Sequence, residues 1–303
     1  MLEAFLISTI GMAAPLLLAA LGELLVEESG VINIGIEGVM LTGAFAAMAA
    51  VYATGSIALG LCCAALAAMV LSALMAAMTV NLAVNQVVAG TALDVFALGV
   101  TGMFYRRMFG VTGKALTIRA LPRVPIPLLS HIPVIGPALF NQNLLVYFSF
   151  LLVVPIWFVL YRTRWGLGLR AAGERPEAAD ALGLGVYWLR WQALLISGVL
   201  TGVGGAYLTL GYANTFVEGM SAGRGFIALS IVILGEWRPA RVAAAAVLFG
   251  AAMALQFTLQ AFNTGIPYQL FLALPYVLTL VVLTVLGGQD RAPSALGEPY
   301  LRP

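Results

Sequence analysis

The chain has 303 residues, of which 62% are hydrophobic and only 9% charged, and its formal net charge is +2. Its mean hydropathy of +1.01 excludes a single soluble domain, which has no use for that much apolar surface. The small net charge carries no indication of a nucleic-acid partner.

Apolar stretches of about 20 residues, enough to cross a ~30 Å hydrocarbon core, account for this composition. They predict spans near 4–22, 31–53, 56–80, 84–105, 143–161, 192–211, 222–236, 240–263 and 267–287, about nine within a range of eight to ten. Helices are expected, because lipid forces each segment to satisfy its own backbone. Ala, Leu and Val dominate and no strand-like alternation appears, which argues against a barrel. The expected fold is an all-α polytopic membrane protein, with residues 1–303 forming one transmembrane domain.

The opening, MLEAFLISTIG, lacks a basic n-region, so the first span is expected to stay rather than be cleaved. The stretch Glu23 to Glu37, ELLVEESGVINIGIE, follows it. Its reading is a short cytoplasmic loop holding Glu23, Glu27 and Glu28; the other reading is a loosened helix at membrane depth. Polar residues within spans usually face a cavity or a partner, because lipid exposure is costly. Candidates are Asn33, Glu37, Asn81, Asn85, Gln86 and Asp94. For Asn33 and Glu37, pathway lining and helix packing both stand. Asn85 and Gln86 open the fourth span and either cap it or face a substrate. Cys62 and Cys63 sit in an apolar run and read as small buried hydrophobes.

The loop 106–142 carries Arg106, Arg107, Lys114, Arg119 and Arg123 and no acid. The loop 162–190 carries Arg162, Arg164, Arg170, Arg175 and Arg190. One span separates them, so they lie on opposite sides. Arg238, Arg241, Arg291 and Arg302 fall with the second loop and only Arg224 with the first. The positive-inside rule therefore places 162–190 in the cytoplasm and 106–142 outside. It also implies a cytoplasmic C-terminus and, with nine spans, an external N-terminus.

Within 162–190, Pro176 suits the first turn of a helix, and Glu177 and Asp180 favour its positive end. Gly183 and Gly185 stop it. The result is a short helix over 176–182, which either seats in a groove of a soluble partner or lies on the membrane. On span six, Gly198, Gly202 and Ala206 form a ridge of small residues for close packing, within the protomer or at a dimer interface. Spans one to four and six to nine have similar spacings, offset by roughly 185 residues, as inverted repeats in transporters do. GVINIGIEGVMLTGAFAA and VEGMSAGRGFIALSIVILG share a polar, Gly-rich lead into an apolar helix.

Enzyme signals are missing. His131 is the single histidine and lies in a Pro-rich loop. GVTGKA near Gly110 lacks the spacer and the hydroxyl residue of a P-loop. No catalytic, metal or cofactor residues are expected; ATP is not bound through a P-loop, and the energy for any active transport comes from another subunit or from an ion gradient.

GLRAAGERPEAADALGLGV closely resembles the cytoplasmic coupling loop of ABC importer permeases for simple sugars and nucleosides, the broad group that includes ribose and branched-chain amino acid permeases. GVINIGIEGVMLTGAFAA, AGRGFIALSIVILGEWRP and IPYQLFLALPYVLTLVVL resemble other parts of that family, and IPLLSHIPVIGPALFNQN resembles its nucleoside branch. The resemblance covers most of the chain. It implies a fold like that of vitamin B12 importer permeases, in a prokaryotic cytoplasmic (inner) membrane. It implies a second, related permease subunit forming a heterodimer, a cytoplasmic ABC ATPase that binds ATP, and an external substrate-binding lipoprotein. The ATPase would dock on Glu174, Arg175, Pro176, Glu177, Ala178, Ala179 and Leu182. For a nucleoside or simple sugar, Asn33, Glu37, Asn85, Gln86, Asn214 and Phe216 are the candidate pathway residues. The rival reading is a stand-alone secondary transporter or channel for a small polar solute. A pathway-free membrane subunit is a further alternative.

Overall fold

The computed structural model describes residues 2–110, 118–127, 130, 133, 135–261, 268–286 and 291–301. Lys114, His131, Arg302 and part of the loop 106–142 lie outside the described residues. Among those described, seven helices are long and apolar enough to cross a membrane, and two shorter apolar helices cover Arg224–Leu234 and Gln269–Val281.

Helix α1 (Leu2–Glu28) is followed by a turn and then by α2 (Ile36–Thr54). Gly55, left-handed at φ +71°, ends α2 by donating its N–H to the Val51 carbonyl at 2.7 Å. Helix α3 (Ile57–Ala76) starts at the Ser56 cap and runs into a π-turn at Ala77–Asn81. Helix α4 (Gln86–Phe109) starts at Asn85, whose Oδ1 accepts from the N–H groups of Val87 and Val88 at 3.0 and 3.2 Å. The strands β1 (Arg123–Pro125) and β2 (Asn141–Asn143) pair antiparallel, with α5 (Ile135–Phe140) just before β2. Helices α6 (Leu144–Leu151) and α7 (Val153–Arg162) together make one crossing. Then come α8 (Arg164–Glu174), α9 (Pro176–Ala181) and α10 (Val186–Tyr207), which continues as a π-helical segment, Leu208–Ala213. Helices α11 (Arg224–Leu234), α12 (Pro239–Ala261), α13 (Tyr268–Leu272) and α14 (Leu274–Leu286) complete the order.

Helices α1 and α10 lie antiparallel at the centre. Gly22 abuts Ser197, Gly204 abuts Pro15, and Gly11 abuts Tyr207. The elements around them correspond: α10 packs on α2 and α3 as α1 packs on α11 and α12, and α2 meets α4 as α11 meets α14. The ridge on α10 is packed inside the protomer. A Cβ on Gly202 would come within 2.4 Å of Ala68 Cβ, and one on Gly205 within 2.0 Å of the Met40 carbonyl oxygen. Only glycine allows these backbones to approach so closely.

The two basic loops sit at opposite ends of α1. Near its start, Gln142 Nε2 donates to the Ile7 carbonyl at 3.3 Å, and the Leu121 N–H donates to the Leu210 carbonyl at 2.8 Å. At its other end, Ala295 N–H donates to Gly173 O at 2.9 Å and Gly297 N–H donates to Gly30 O at 3.1 Å.

Three expectations are corrected. Glu23, Glu27 and Glu28 belong to α1 and are buried rather than lying in a loop. Glu23 and Glu27 find partners there: Glu23 Oε1 accepts from the Asn33 N–H at 2.8 Å and Glu27 Oε2 from Trp237 Nε1 at 2.7 Å. Arg190 lies in α10, 2% exposed, and its Nε donates to the Ser29 carbonyl at 3.1 Å, so the sixth helix begins well before residue 192. Cys62 and Cys63 are exposed, because α3 turns Gly60, Ala64 and Ala68 inward and leaves the cysteines on its outer face.

Candidate functional site

The first turns of α2 and α11 meet end to end inside the protein. Glu37, in the first turn of α2, accepts from the Gly223 N–H through Oε1 and from the Gly225 N–H through Oε2, both at 2.7 Å. Gly223 has φ +79° and brings no side-chain cap, so α11 takes its cap from the other half of the chain. The approach is close enough that a Cβ on Gly225 would lie 2.6 Å from Glu37 Cα. The start of α2 is capped from α4: Asp94 Oδ1 accepts from the Gly38 N–H at 2.7 Å. A carboxylate at a helix N-terminus satisfies orphan amides and offsets the helix dipole.

This joint lies away from the ends of the crossing helices. Asp94 is ~12 Å along α4 from its start at a rise of about 1.5 Å per residue. Further along α4, Arg106 pairs with Glu218 at 3.3 Å. Segment 214–223 therefore runs beside α4 from Arg106 back toward Asp94, and the 11-residue α11 follows it.

A cavity of about 280 Å³ opens at the joint, lined by Glu37, Gly38, Asp94, Ser221, Ala222 and Phe226, with Leu41, Val95, Leu98 and Gly219 completing it. It is near the lower end of the roughly 300–1,000 Å³ typical of small-ligand sites. Arg224 is turned from it: its Nη1 donates to the carbonyls of Met220 and Ser221 at 2.9 and 3.1 Å.

A buried polar seam continues from the joint to the end of α1. Gln86 Oε1 accepts from the Ile32 N–H at 2.7 Å, and Glu23 takes the next amide, that of Asn33. Two amides of the 31–35 turn, those of Ile32 and Asn33, are thus satisfied by buried side chains.

The expected pathway residues separate. Glu37 lines the cavity. Asn33 and Gln86 are buried in the seam, and neither Asn33 Oδ1 and Nδ2 nor Gln86 Nε2 has a partner. Asn85 is exposed at the α4 cap. Asn214 is left-handed at φ +54° at the end of the π segment. Phe216 is buried at 2% exposure, edge-on to Phe45 at 5.4 Å. Asp94 and Phe226 stand in the cavity outside that set. Asp94 was visible as an intramembrane acid; Phe226 had no signal beyond following the Gly-rich AGRG.

At the far end of α1, α9 starts with Pro176 in its first turn and stops before Gly183, left-handed at φ +82°. Pro176 and Ala179 are buried against the body, while Glu174, Arg175, Glu177, Ala178 and Leu182 are exposed, Leu182 by 83%. Glu174 Oε2 accepts from Ser294 Oγ at 2.7 Å, tying the helix pair to the C-terminal segment.

Residues 5–283 match the family model described as the branched-chain amino acid transport system permease component. The nucleoside ABC transporter permease protein of Lactococcus lactis subsp. cremoris is 36% identical over 304 residues, covering 96% of this chain and 94% of that one. The guanosine ABC transporter permease protein of Bacillus subtilis is 35% identical over 307 residues, covering 97% and 95%. The putative glucose ABC transporter permease protein of Haloferax volcanii is 35% identical over 322 residues, covering 97% and 96%. No solved structure matches the chain.

Proposed function

We propose that this chain, which belongs to the branched-chain amino acid transport permease family and is a permease subunit of an ABC importer, carries nucleosides. Hydrolysis of ATP belongs to a separate ATPase subunit. Simple sugars are the alternative cargo, kept open by the relative named for glucose.

The observation that carries the reading is the cavity where the starts of α2 and α11 meet, a largely apolar pocket edged by the carboxyl groups of Glu37 and Asp94. Interrupted helices whose ends meet at membrane depth are how transporters place a polar site between two repeats. The matching neighbours of the α1–α4 and α10–α14 sets support an inverted repeat. In this reading all nine apolar segments cross or enter the bilayer, with a fold like that of vitamin B12 importer permeases. A cavity bearing Glu37 and Asp94 is unsuited to face lipid. A second, related permease subunit therefore covers it, and the pathway runs between the two.

The exposed face of α9 is where the ATPase docks, on the cytoplasmic side of an inner membrane. Glu177, Ala178 and Leu182 make the contact, and the buried Pro176 and Ala179 pass its movement to the body. An external lipoprotein delivers the solute to the side of the 106–142 loop.

The test is reconstitution of the two permease chains with ATPase and binding protein in proteoliposomes, followed by uptake of labelled guanosine, uridine and glucose. The reading expects nucleoside uptake that stops without ATP. Uptake that proceeds without the ATPase would favour a stand-alone transporter, and uptake of glucose alone would replace the cargo.

A further inference from the structure

We infer that the cavity at the α2–α11 joint recognises a nucleoside at two points, with Asp94 receiving a 2′- or 3′-hydroxyl of the sugar and Phe226 stacking on the base. The inference rests on the nucleoside reading above and assigns that reading's binding residues.

The two carboxyl groups at the cavity are in different states. Both oxygens of Glu37 are engaged by the amides of Gly223 and Gly225, so Glu37 holds the joint and has little left for a solute. Asp94 is half engaged: Oδ1 takes the Gly38 N–H, and Oδ2 is shielded and has no hydrogen-bond partner. A shielded polar atom without a partner is costly, so it gains from any donor that reaches it. In the proposal the carboxyl rotates about its soft χ2 torsion so that Oδ2 opens onto the cavity that Asp94 lines.

The surroundings narrow the donor. Two carboxyl groups repel a phosphorylated solute, and Arg224 is committed to backbone carbonyls. One free carboxyl oxygen is far short of the six to eight oxygen ligands, roughly, that a calcium-sized cation takes. A neutral solute with hydroxyl groups remains. Phe226, in the first turn of α11, lines the same cavity and is 43% exposed, an uncommitted aromatic face beside the acceptor. A sugar hydroxyl on one side and a flat base on the other are the parts of a nucleoside, and stacking accepts any base.

The experiment compares uridine with 2′,3′-dideoxyuridine in proteoliposomes holding the complete transporter and saturating binding protein. Asp94→Asn keeps an oxygen for the Gly38 N–H but presents an NH2 group where the acceptor stood. It should lower the uridine rate about ten-fold and change the dideoxyuridine rate by less than about two-fold, since both solutes carry the 5′-hydroxyl but only uridine brings the 2′- and 3′-hydroxyls. Phe226→Ala should lower both rates alike, also about ten-fold, since both solutes carry the base. Equal loss of both solutes in Asp94→Asn would mean a positioning role through Gly38 and would overturn the hydroxyl contact, as would no loss at all. Unchanged transport in Phe226→Ala would overturn the stacking contact. A wild-type transporter that moves neither nucleoside while hydrolysing ATP would sink the nucleoside reading itself, and this inference with it.

Discussion

Helix α2 runs 19 residues from Ile36, whereas α11, which holds the matching place in the other half, runs 11 residues from Arg224. Both begin at a part-buried joint, and each draws its carboxylate from another helix. The start of α2 uses Asp94 from α4, within its own half. The start of α11 uses Glu37, from the opposite half. On α14, packed against α11 as α4 is against α2, Tyr276 donates its hydroxyl to the Ala222 carbonyl at 3.0 Å, serving an acceptor rather than the amides. The difference teaches that the second half is completed by the first at this joint, and that the free oxygen of Asp94 arises because α2 asks for only one of its two.

Substitutions that break the contact between halves should have the largest effects. Gly205→Leu would drive a side chain into the Met40 carbonyl and separate α10 from α2. It should abolish recovery of monodisperse protein in detergent size-exclusion chromatography, while Gly99→Leu, where a Cβ meets nothing within 4 Å, should not. Glu37→Ala leaves two amides unpaired and should cost about 3 kcal/mol or more, since hydrogen bonds to charged groups are worth roughly 1.5–3 kcal/mol each. Glu37→Gln, with one carbonyl oxygen, should fall between wild type and Ala in a thermal unfolding series. Equal stability of all three would remove the idea that α11 depends on Glu37.

Smaller effects sharpen the comparison away from the joint. Trp237→Phe removes the donor to Glu27 and should destabilise by about 1–3 kcal/mol, the cost of a buried polar group left without its partner. Asn85→Ala touches an exposed cap at the start of α4 and should cost about 1 kcal/mol. Thermal shift in detergent orders the two, and a larger loss for Asn85 would contradict the view that buried caps dominate stability here.

Local chemistry made some of this legible in the sequence. Apolar length located the seven long helices found among the described residues. Pro176 and Gly183 marked both ends of α9. Readings failed where the deciding partner is remote. Glu23, Glu27 and Glu28 resemble a loop until Trp237 and the bent-back Asn33 amide come beside them. Arg190 resembles a loop cation because its partners are backbone carbonyls of Ser29 and Glu298, which no side-chain pattern announces. Phe216 and Phe226 flank the same Gly-rich stretch; only the packing shows one locked against Phe45 and the other facing a cavity.

The most direct test of the account is a crosslink from α9. Ala178→Cys, placed in a Cys62→Ala, Cys63→Ala background, presents one thiol on the exposed face of that helix. Paired with single-cysteine variants of the ATPase, it should form a disulfide whose yield changes when ATP is added. If no position on α9 crosslinks while ATP-driven uptake stays intact, the docking face assigned here is wrong.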